Sequence, residues 1–457
     1  MAIAGTISPS DPAPGAGHVF WLSWPMALKA IFLHGTVVID GWLVSPLGET
    51  ALAAMGLGAA IGGFVAGGIF AFSNAMQIRS AQASGTQDPV FQKSVLASGL
   101  TLSVAIGLLG LTVILTFGQG MLVALAPDAQ VAALAWDYLS IYTIVIMGES
   151  LGQCLASYFN GSGRTKIPLY GYCLSVPINI SASVVLIHGL WGFPAYGVAG
   201  AAMGSGLAIG VQALFMLYQF LRTDGYLMRV PGWRQVTFAK SLQRHFWFSL
   251  PIAVTFISAN FAMRVCMLIY AQMSLQAFAA MTLLMPWVLV AGTIGMQWAQ
   301  ATGIVVAQLL GQRRAAADLD RFLSSAWRAS FVAAGIVAAV YMMVCLLPAV
   351  LYPSLNAETR AILSSFAIVL FVLPFPKQSN AICGNILRAS GDTVYVMHVF
   401  VWTQWLFRVP ATAVAVLVLG LSPVWVLSLL FWEELIKFPA FHRRLYRGAW
   451  KHAEVSE

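Results

Sequence analysis

The sequence predicts an all-α polytopic membrane protein, with twelve transmembrane helices in two pseudo-symmetric six-helix lobes. Three observations predict it. Of 457 residues, 59% are hydrophobic and 9% charged, where an ordinary soluble domain has about 25% charged. Apolar runs recur from Trp24 to Phe441, and about 20 apolar residues suffice for one spanning helix. The second half also repeats the first. A shift of 226 sets Ser23 and Pro25 on Ser249 and Pro251, Ala51, Ala53, Ala54 and Met55 on Ala277, Ala279, Ala280 and Met281, and Ala81, Gln82 and Gly85 on Ala307, Gln308 and Gly311. A shift of 228 sets Ser162, Gly163 and Thr165 on Ser390, Gly391 and Thr393. Barrel strands would be about ten residues long and alternating, and nothing here alternates over that length.

In chain order, residues 1–24 hold Pro, Gly, Ser and Ala but no Lys or Arg. They lack the basic start and apolar centre of a cleavable signal, and are expected to be a disordered cytoplasmic tail. An N-lobe at 25–221 carries spans near 25–44, 51–75, 94–117, 131–157, 167–188 and 194–221. A cytoplasmic linker, 222–246, mixes basic residues with Gly and Pro. A C-lobe at 247–441 carries spans near 247–271, 277–307, 327–352, 361–387, 396–419 and 421–441, followed by a cytoplasmic tail at 442–457. Because six is even, both lobes insert the same way round, an arrangement that usually binds substrate between the halves and works by rocking them.

Charge sets the expected orientation. With both termini inside, eighteen Lys and Arg fall on the inner segments and one, Arg360, on an outer connection. The remaining five, Lys29, Arg264, Lys377, Arg408 and Lys437, lie within spans. That bias puts both ends in the cytoplasm. It also accounts for the net charge of +8 without a nucleic-acid partner. Cys154, Cys173, Cys266, Cys345 and Cys383 show no paired spacing, so neither a disulfide framework nor a metal site is expected.

One carboxylate organises the functional reading. Asp40 lies about fifteen residues into the first apolar run, roughly 22 Å deep at helical rise. An Asp at a bilayer centre costs about 2.5–3.5 kcal/mol, so it is expected to face a polar cavity and to titrate. A hydrogen bond to a neighbouring helix is the plainer alternative. His34 precedes it by one and a half turns and could relay a proton, or simply pack neutral. Lys377, after Pro374-Phe375-Pro376, and Arg264 could line a cavity and favour anionic substrates. Arg264, near the outer end of its span, could instead snorkel to the headgroups. Lys29 and Lys437 are expected to snorkel. Glu149 is a rival for the coupling role, with pairing to a cation such as Arg164 or Lys166 as the plainer reading. Asp137, Glu433 and Glu434 are expected to lie near interfaces or on the last helix. Gly58, Gly62, Gly200, Gly204, Gly206 and Gly210 place small residues four apart for close helix approach. There is no Walker lysine motif and no HExxH, so neither ATP nor an intramembrane enzyme is expected.

The Pro25 opening, LGETALAAMGLG after the first span, AQASG after the second, GSGRTKIP after the fourth and YGVAGAAMGSG in the sixth form a set. SLP at 249–251, AQLLGQRRAAA after the eighth span and ILRASGDT at 386–393 complete it in the second half. In order and spacing the set resembles the multidrug and toxic compound extrusion family, over about 25–440. The resemblance implies a V-shaped pair of six-helix lobes exporting organic molecules in exchange for protons or sodium ions. It also implies that Asp40 is the coupling carboxylate of the first helix, with Asn179 in the same ion site. Ser183 stands where some members have a second Asp, and Ser205 where they have a Thr. With one carboxylate in place of two, protons are the expected coupling ion rather than Na+. In the C-lobe one branch has a Glu where Ala259 stands here, beside Asn260, and an Asp where Lys377 stands. No carboxylate cation site is therefore expected there. Arg408 resembles a family-typical packing residue.

The expected function is a secondary active antiporter exporting amphipathic drug-like or natural-product molecules by alternating access. The ion-coupling set is Asp40, Asn179, Ser183 and Ser205, and the cavity set is Lys377, Arg264, Asn260 and His34. The competing reading is a lipid-linked sugar flippase or other anionic-substrate exporter of the same superfamily. No cofactor beyond the coupling ion is expected. Small-molecule substrate and bilayer are the expected partners, the protein a monomer, and its place the bacterial inner membrane.

Overall fold

Turn and capping chemistry sets where the helices begin and end. The structure, a computed structural model, describes residues 14–230, 235–352 and 355–453, with the backbone alone at 235–237. Residues 1–13 of the expected tail, 231–234 of the linker and 454–457 of the final tail lie outside the described residues. The first half comprises α1 (Ala16–Val44), α2 (Glu49–Thr86), α3 (Pro89–Leu125), α4 (Ala129–Gly161), α5 (Lys166–His188) and α6 (Val198–Asp224). The second begins with α7 (Gln235–Tyr270), α8 (Leu275–Gly311) and α9 (Ala316–Leu346), then a single turn, α10 (Pro348–Leu351). It continues with α11 (Ala357–Ser365), α12 (Ala367–Val372), α13 (Pro374–Ala389), α14 (Thr393–Trp402), α15 (Val409–Ala413) and α16 (Pro423–Tyr446). Asp88 and Asp128 cap α3 and α4 by accepting from Val90 N at 2.9 Å and Val131 N at 2.8 Å. Such caps satisfy donors that the first helical turn leaves open.

Among the described residues, ten helical segments are long and apolar enough to cross a bilayer. The pair Ala357–Val372 and Pro374–Ala389, bent by 44° at Pro374, makes an eleventh. Prolines at 374 and 376 explain the bend, since each removes a backbone donor. The expected span at 361–387 is therefore a broken helix, with Lys377 just past the break. α16, at the twelfth expected span, falls outside this set, because Glu433, Glu434 and Lys437 lower its apolar character near the middle. α14 and α15 form one span, Thr393–Val418, interrupted by π-helical turns at Thr403–Arg408 and Val414–Val418.

Several expected boundaries shift. α1 starts at Ala16, so 16–24 is helical rather than tail. α7 begins at Gln235, inside the expected linker, and α16 continues to Tyr446, inside the expected final tail. Among the described residues, the chain divides into one compact unit holding 28–230 and 235–250 and another holding 14–27, 251–352 and 355–453. Within the second unit Ala16 N donates to Ser325 Oγ at 3.2 Å.

The internal repeat is visible in backbone geometry. After α4, Ser162, Gly163 and Arg164 donate their N–H groups to Tyr158, Asn160 and Phe159. After α13, Ser390, Gly391 and Asp392 donate to Ile386, Arg388 and Leu387, the same bonds 228 residues on. Gly163 and Gly391 both take positive φ, +79° and +92°, where glycine carries no steric cost. Gln87 and Arg313, related by 226, likewise share φ of 57° and 54°.

In the first unit, glycines admit the aromatic rings of α4. A Cβ on Gly58 would lie 2.8 Å from Tyr138, and one on Gly62 2.6 Å from Tyr142, whose rings stack at 5.5 Å. Gly200 and Gly204 of α6 meet the backbone of α5 as closely, with a Cβ falling 2.6 Å from Leu186 and 2.7 Å from Ser183 N. Gly206 and Gly210 do not share that role. A Cβ on Gly206 would make only an ordinary 3.8 Å contact, and Gly210 faces open space.

Candidate functional site

The α5–α6 contact builds the polar cluster around Asp40. Asn179 and Ser183 lie four residues apart on α5, hence on one face, and bare glycine at 200 and 204 brings that face against α6. Asn179 Nδ2 donates to Ser205 Oγ at 2.9 Å, and Ser205 Oγ donates to Asp40 Oδ2 at 3.4 Å. The chain Asn179, Ser205, Asp40 thus ties α5, α6 and α1 together inside the first unit. Asp40 Oδ1, Asn179 Oδ1 and Ser183 Oγ are buried and have no hydrogen-bond partner among the described residues. A buried acceptor without a donor costs about 1–3 kcal/mol, so each of these oxygens is open to a further donor. The same unit carries an apolar cluster that includes Leu43, Val44, Met55, Tyr138 and Ile187, with Ile39 and Tyr142 packed against it.

The other expected residues are not brought together in this way. His34 is half-buried in the first unit. In the second unit, Asn260 Nδ2 donates to Phe256 O of its own helix at 2.9 Å, and Arg264 is exposed. Lys377 lines a cavity of about 70 Å³ with Gln378, Asn380, Phe400 and Glu434.

Several charged residues have partners that differ from those expected. Lys29 does not simply snorkel. Its Nζ donates to Gln153 Oε1 at 3.4 Å, lies 5.5 Å from the Tyr172 ring centroid and interacts electrostatically with Glu149. Arg164, offered as a partner for Glu149, instead bonds Asp224 at 2.6 Å and Thr223 at 3.0 Å. Lys437 is 3% exposed and bonds Glu433 at 2.8 Å and Glu434 at 3.0 Å. Both acids lie on the last helix, one of their two expected placements, and are buried there, and Lys437 is no snorkelling side chain. Arg408 bonds Glu433 at 3.2 Å, so its role is ionic as well as packing. Carboxylates are thus present inside the C-terminal unit, already matched to cations. A signal for this network exists in the sequence: acids at 433 and 434 precede a Lys by four and three residues, the spacing of helical ion pairs.

Comparison with known proteins agrees with the fold and its repeat. The family model MatE matches residues 25–185 and 251–414, one segment in each half. The chain is 26% identical over 412 residues to "Probable multidrug resistance protein NorM" of Rhizobium meliloti (strain 1021), covering 84% of this chain and 85% of that protein. It is 28% identical over 248 residues to the protein of the same description from Rhodopseudomonas palustris (strain ATCC BAA-98 / CGA009), there spanning 50% of this chain and 51% of the relative. In fold it is similar to "Crystal structure of MATE in the bent conformation", with a TM-score of 0.83 at 19% identity, over 96% of this chain and 97% of that one. With matched segments in both halves that together exceed half its length, the chain belongs to MatE, the multidrug and toxic compound extrusion family.

Proposed function

We propose that this protein is a secondary active antiporter that exports amphipathic drug-like or natural-product molecules in exchange for protons, coupled through Asp40. The observation that carries the reading is the Asn179, Ser205, Asp40 chain with its unpartnered buried oxygens. A carboxylate held there can take a proton on one side of the membrane and lose it on the other. Sodium would require several oxygen ligands with negative charge among them; one carboxylate with two neutral oxygens favours the proton. Relatives described as multidrug resistance proteins support drug-like substrates. The excess of Lys and Arg on the inner segments supports cytoplasmic termini in a bacterial inner membrane, with the monomer as the working unit.

A second reading, export of anionic substrates or lipid-linked sugars, draws support from the lysine in the C-terminal cavity. The decisive experiment is uphill export in energised proteoliposomes with wild type and Asp40→Asn. The variant should unfold at the same temperature yet lose concentrative export. Full export by Asp40→Asn would overturn the reading. Recording lumen pH during substrate movement, with and without sodium, separates the ions: lumen pH should change with substrate in sodium-free buffer.

A further inference from the structure

The interior of the C-terminal unit holds more positive charge than its buried acids balance. Buried Arg388, Arg408 and Lys437, together with half-buried Lys377, stand against two buried carboxylates, Glu433 and Glu434. Glu433 is shared by Arg408 at 3.2 Å and Lys437 at 2.8 Å. Glu434 is taken by Lys437 at 3.0 Å and by Asn380 Nδ2 at 2.9 Å. Both acids are therefore committed. Arg388 lies over the rings of Phe256 and Phe400, at 5.6 and 5.5 Å from their centroids, and Lys437 Nζ is 4.8 Å from that of Phe400. Among the described residues, neither Arg388 nor Lys377 forms an ion pair with a carboxylate. Lys377 interacts electrostatically with Glu434, Lys437, Glu433 and Arg408 at longer range.

The surplus meets the cavity at Lys377. Gln378, buried beside it on α13, has an Nε2 with no hydrogen-bond partner among the described residues, and both side chains line the cavity. Gly295 of α8, with no side chain, makes room for the Gln378 amide. An ammonium and an amide N–H supply donors only at these positions. The carboxylate in the same wall is already occupied by Lys437 and Asn380. About 10–15 Å³ of such space holds one water, so about 70 Å³ accommodates a halide with water or a carboxylate head. A buried charge needs either a counter-charge or neutralisation, because desolvating it alone is costly.

We propose that the cavity between α8, α9, α13, α14 and α16 is a binding site for a small monoanion, a halide or a carboxylate head, held by Lys377 and Gln378. The site is separate from Asp40 and does not depend on the coupling mechanism proposed for it.

The test is equilibrium binding of radiolabelled chloride to the purified full-length protein at constant ionic strength, with sulfate, which is neither a monoanion nor a carboxylate, as the balancing anion. Wild type should bind one chloride saturably. Lys377→Met should weaken binding at least tenfold, Lys377→Arg should keep it within a few-fold, and Asp40→Asn should leave it unchanged. Competition by acetate assigns carboxylates to the same site, and chloride binding without acetate competition supports the halide form of the proposal. Non-saturable chloride association in wild type would overturn the proposal, as would equal binding in a folded Lys377→Met protein; the lysine would then be neutral and without a ligand. Should Lys377→Met not fold, Gln378→Leu replaces it and must weaken chloride binding by a comparable factor.

Discussion

Ser205 is the side chain on which the setting of Asp40 depends, because its single hydroxyl both accepts from Asn179 and donates to the carboxylate. Ser205→Ala leaves the amide and the acid without their bridge. Export by that variant should fall about tenfold while stability changes by only about 1 kcal/mol, the net worth of one hydrogen bond. Ser205→Thr keeps the hydroxyl and should retain most export. Transport in proteoliposomes beside thermal unfolding checks both, and unaltered export by Ser205→Ala would remove the bridge from the mechanism. Asp40 was singled out by the cost of a charge in an apolar run, and Asn179, Ser183 and Ser205 through family motifs; of these, Asp40, Asn179 and Ser205 are the ones the structure bonds to one another. Their bonding order was not legible in the sequence. It depends on how α5 rotates against α6, which residue identity alone does not fix.

At the scale of elements, two contacts invite tests. Close approach of α5 and α6 rests on glycine, so Gly204→Val should push the helices apart. It should lower stability by about 1–3 kcal/mol, the usual cost of overpacking, and impair export with it. Gly210→Ala, on the same helix but facing open space, should be tolerated. Equal thermal unfolding of both variants would contradict the packing argument. The second contact is the ion pair after the fourth span. Arg164 in the first repeat bonds Asp224, at the end of α6. The equivalent position in the second repeat is Asp392, which bonds Arg444 near the end of α16 at 2.6 Å. Each half thus ties the turn after its fourth span to its last helix, with the charges exchanged. Arg164 and Asp224 are both buried, so Arg164→Ala leaves an unpaired acid and should cost about 3–5 kcal/mol. The double variant Arg164→Asp with Asp224→Arg should recover part of that loss. Denaturation of the three proteins side by side measures the recovery.

For the molecule as a whole, the two halves share turn geometry to the level of single hydrogen bonds yet differ in their chemistry. Asp40 and its neighbours sit in one unit, and a matched network of Glu433, Glu434, Lys437 and Arg408 in the other. Under the shift of 226, Asp40 falls on Cys266, so duplication of the fold has not duplicated the acid. The charge bias of the connections makes its own prediction at this scale. A fluorescent protein fused to the C-terminus should fluoresce in the bacterial cytoplasm, and a periplasmic phosphatase fused there should be inactive. The opposite pattern would invert the topology.

The sequence by itself determined the helical class, the order of the spans, the repeat and the site of Asp40. Each of these is written locally: in the length of an apolar run, in a glycine whose turn requires positive φ, in a charge placed where lipid would penalise it. Only the tertiary structure decided which charges answer one another. It joined Arg408 to Glu433 across twenty-five residues, gave Lys29 to Gln153 rather than to the headgroups, and left Lys377 facing a cavity in a region already rich in cations. Such pairings depend on how one helix is rotated against the next, and that rotation is fixed by packing summed over the whole interface rather than by any one stretch of chain.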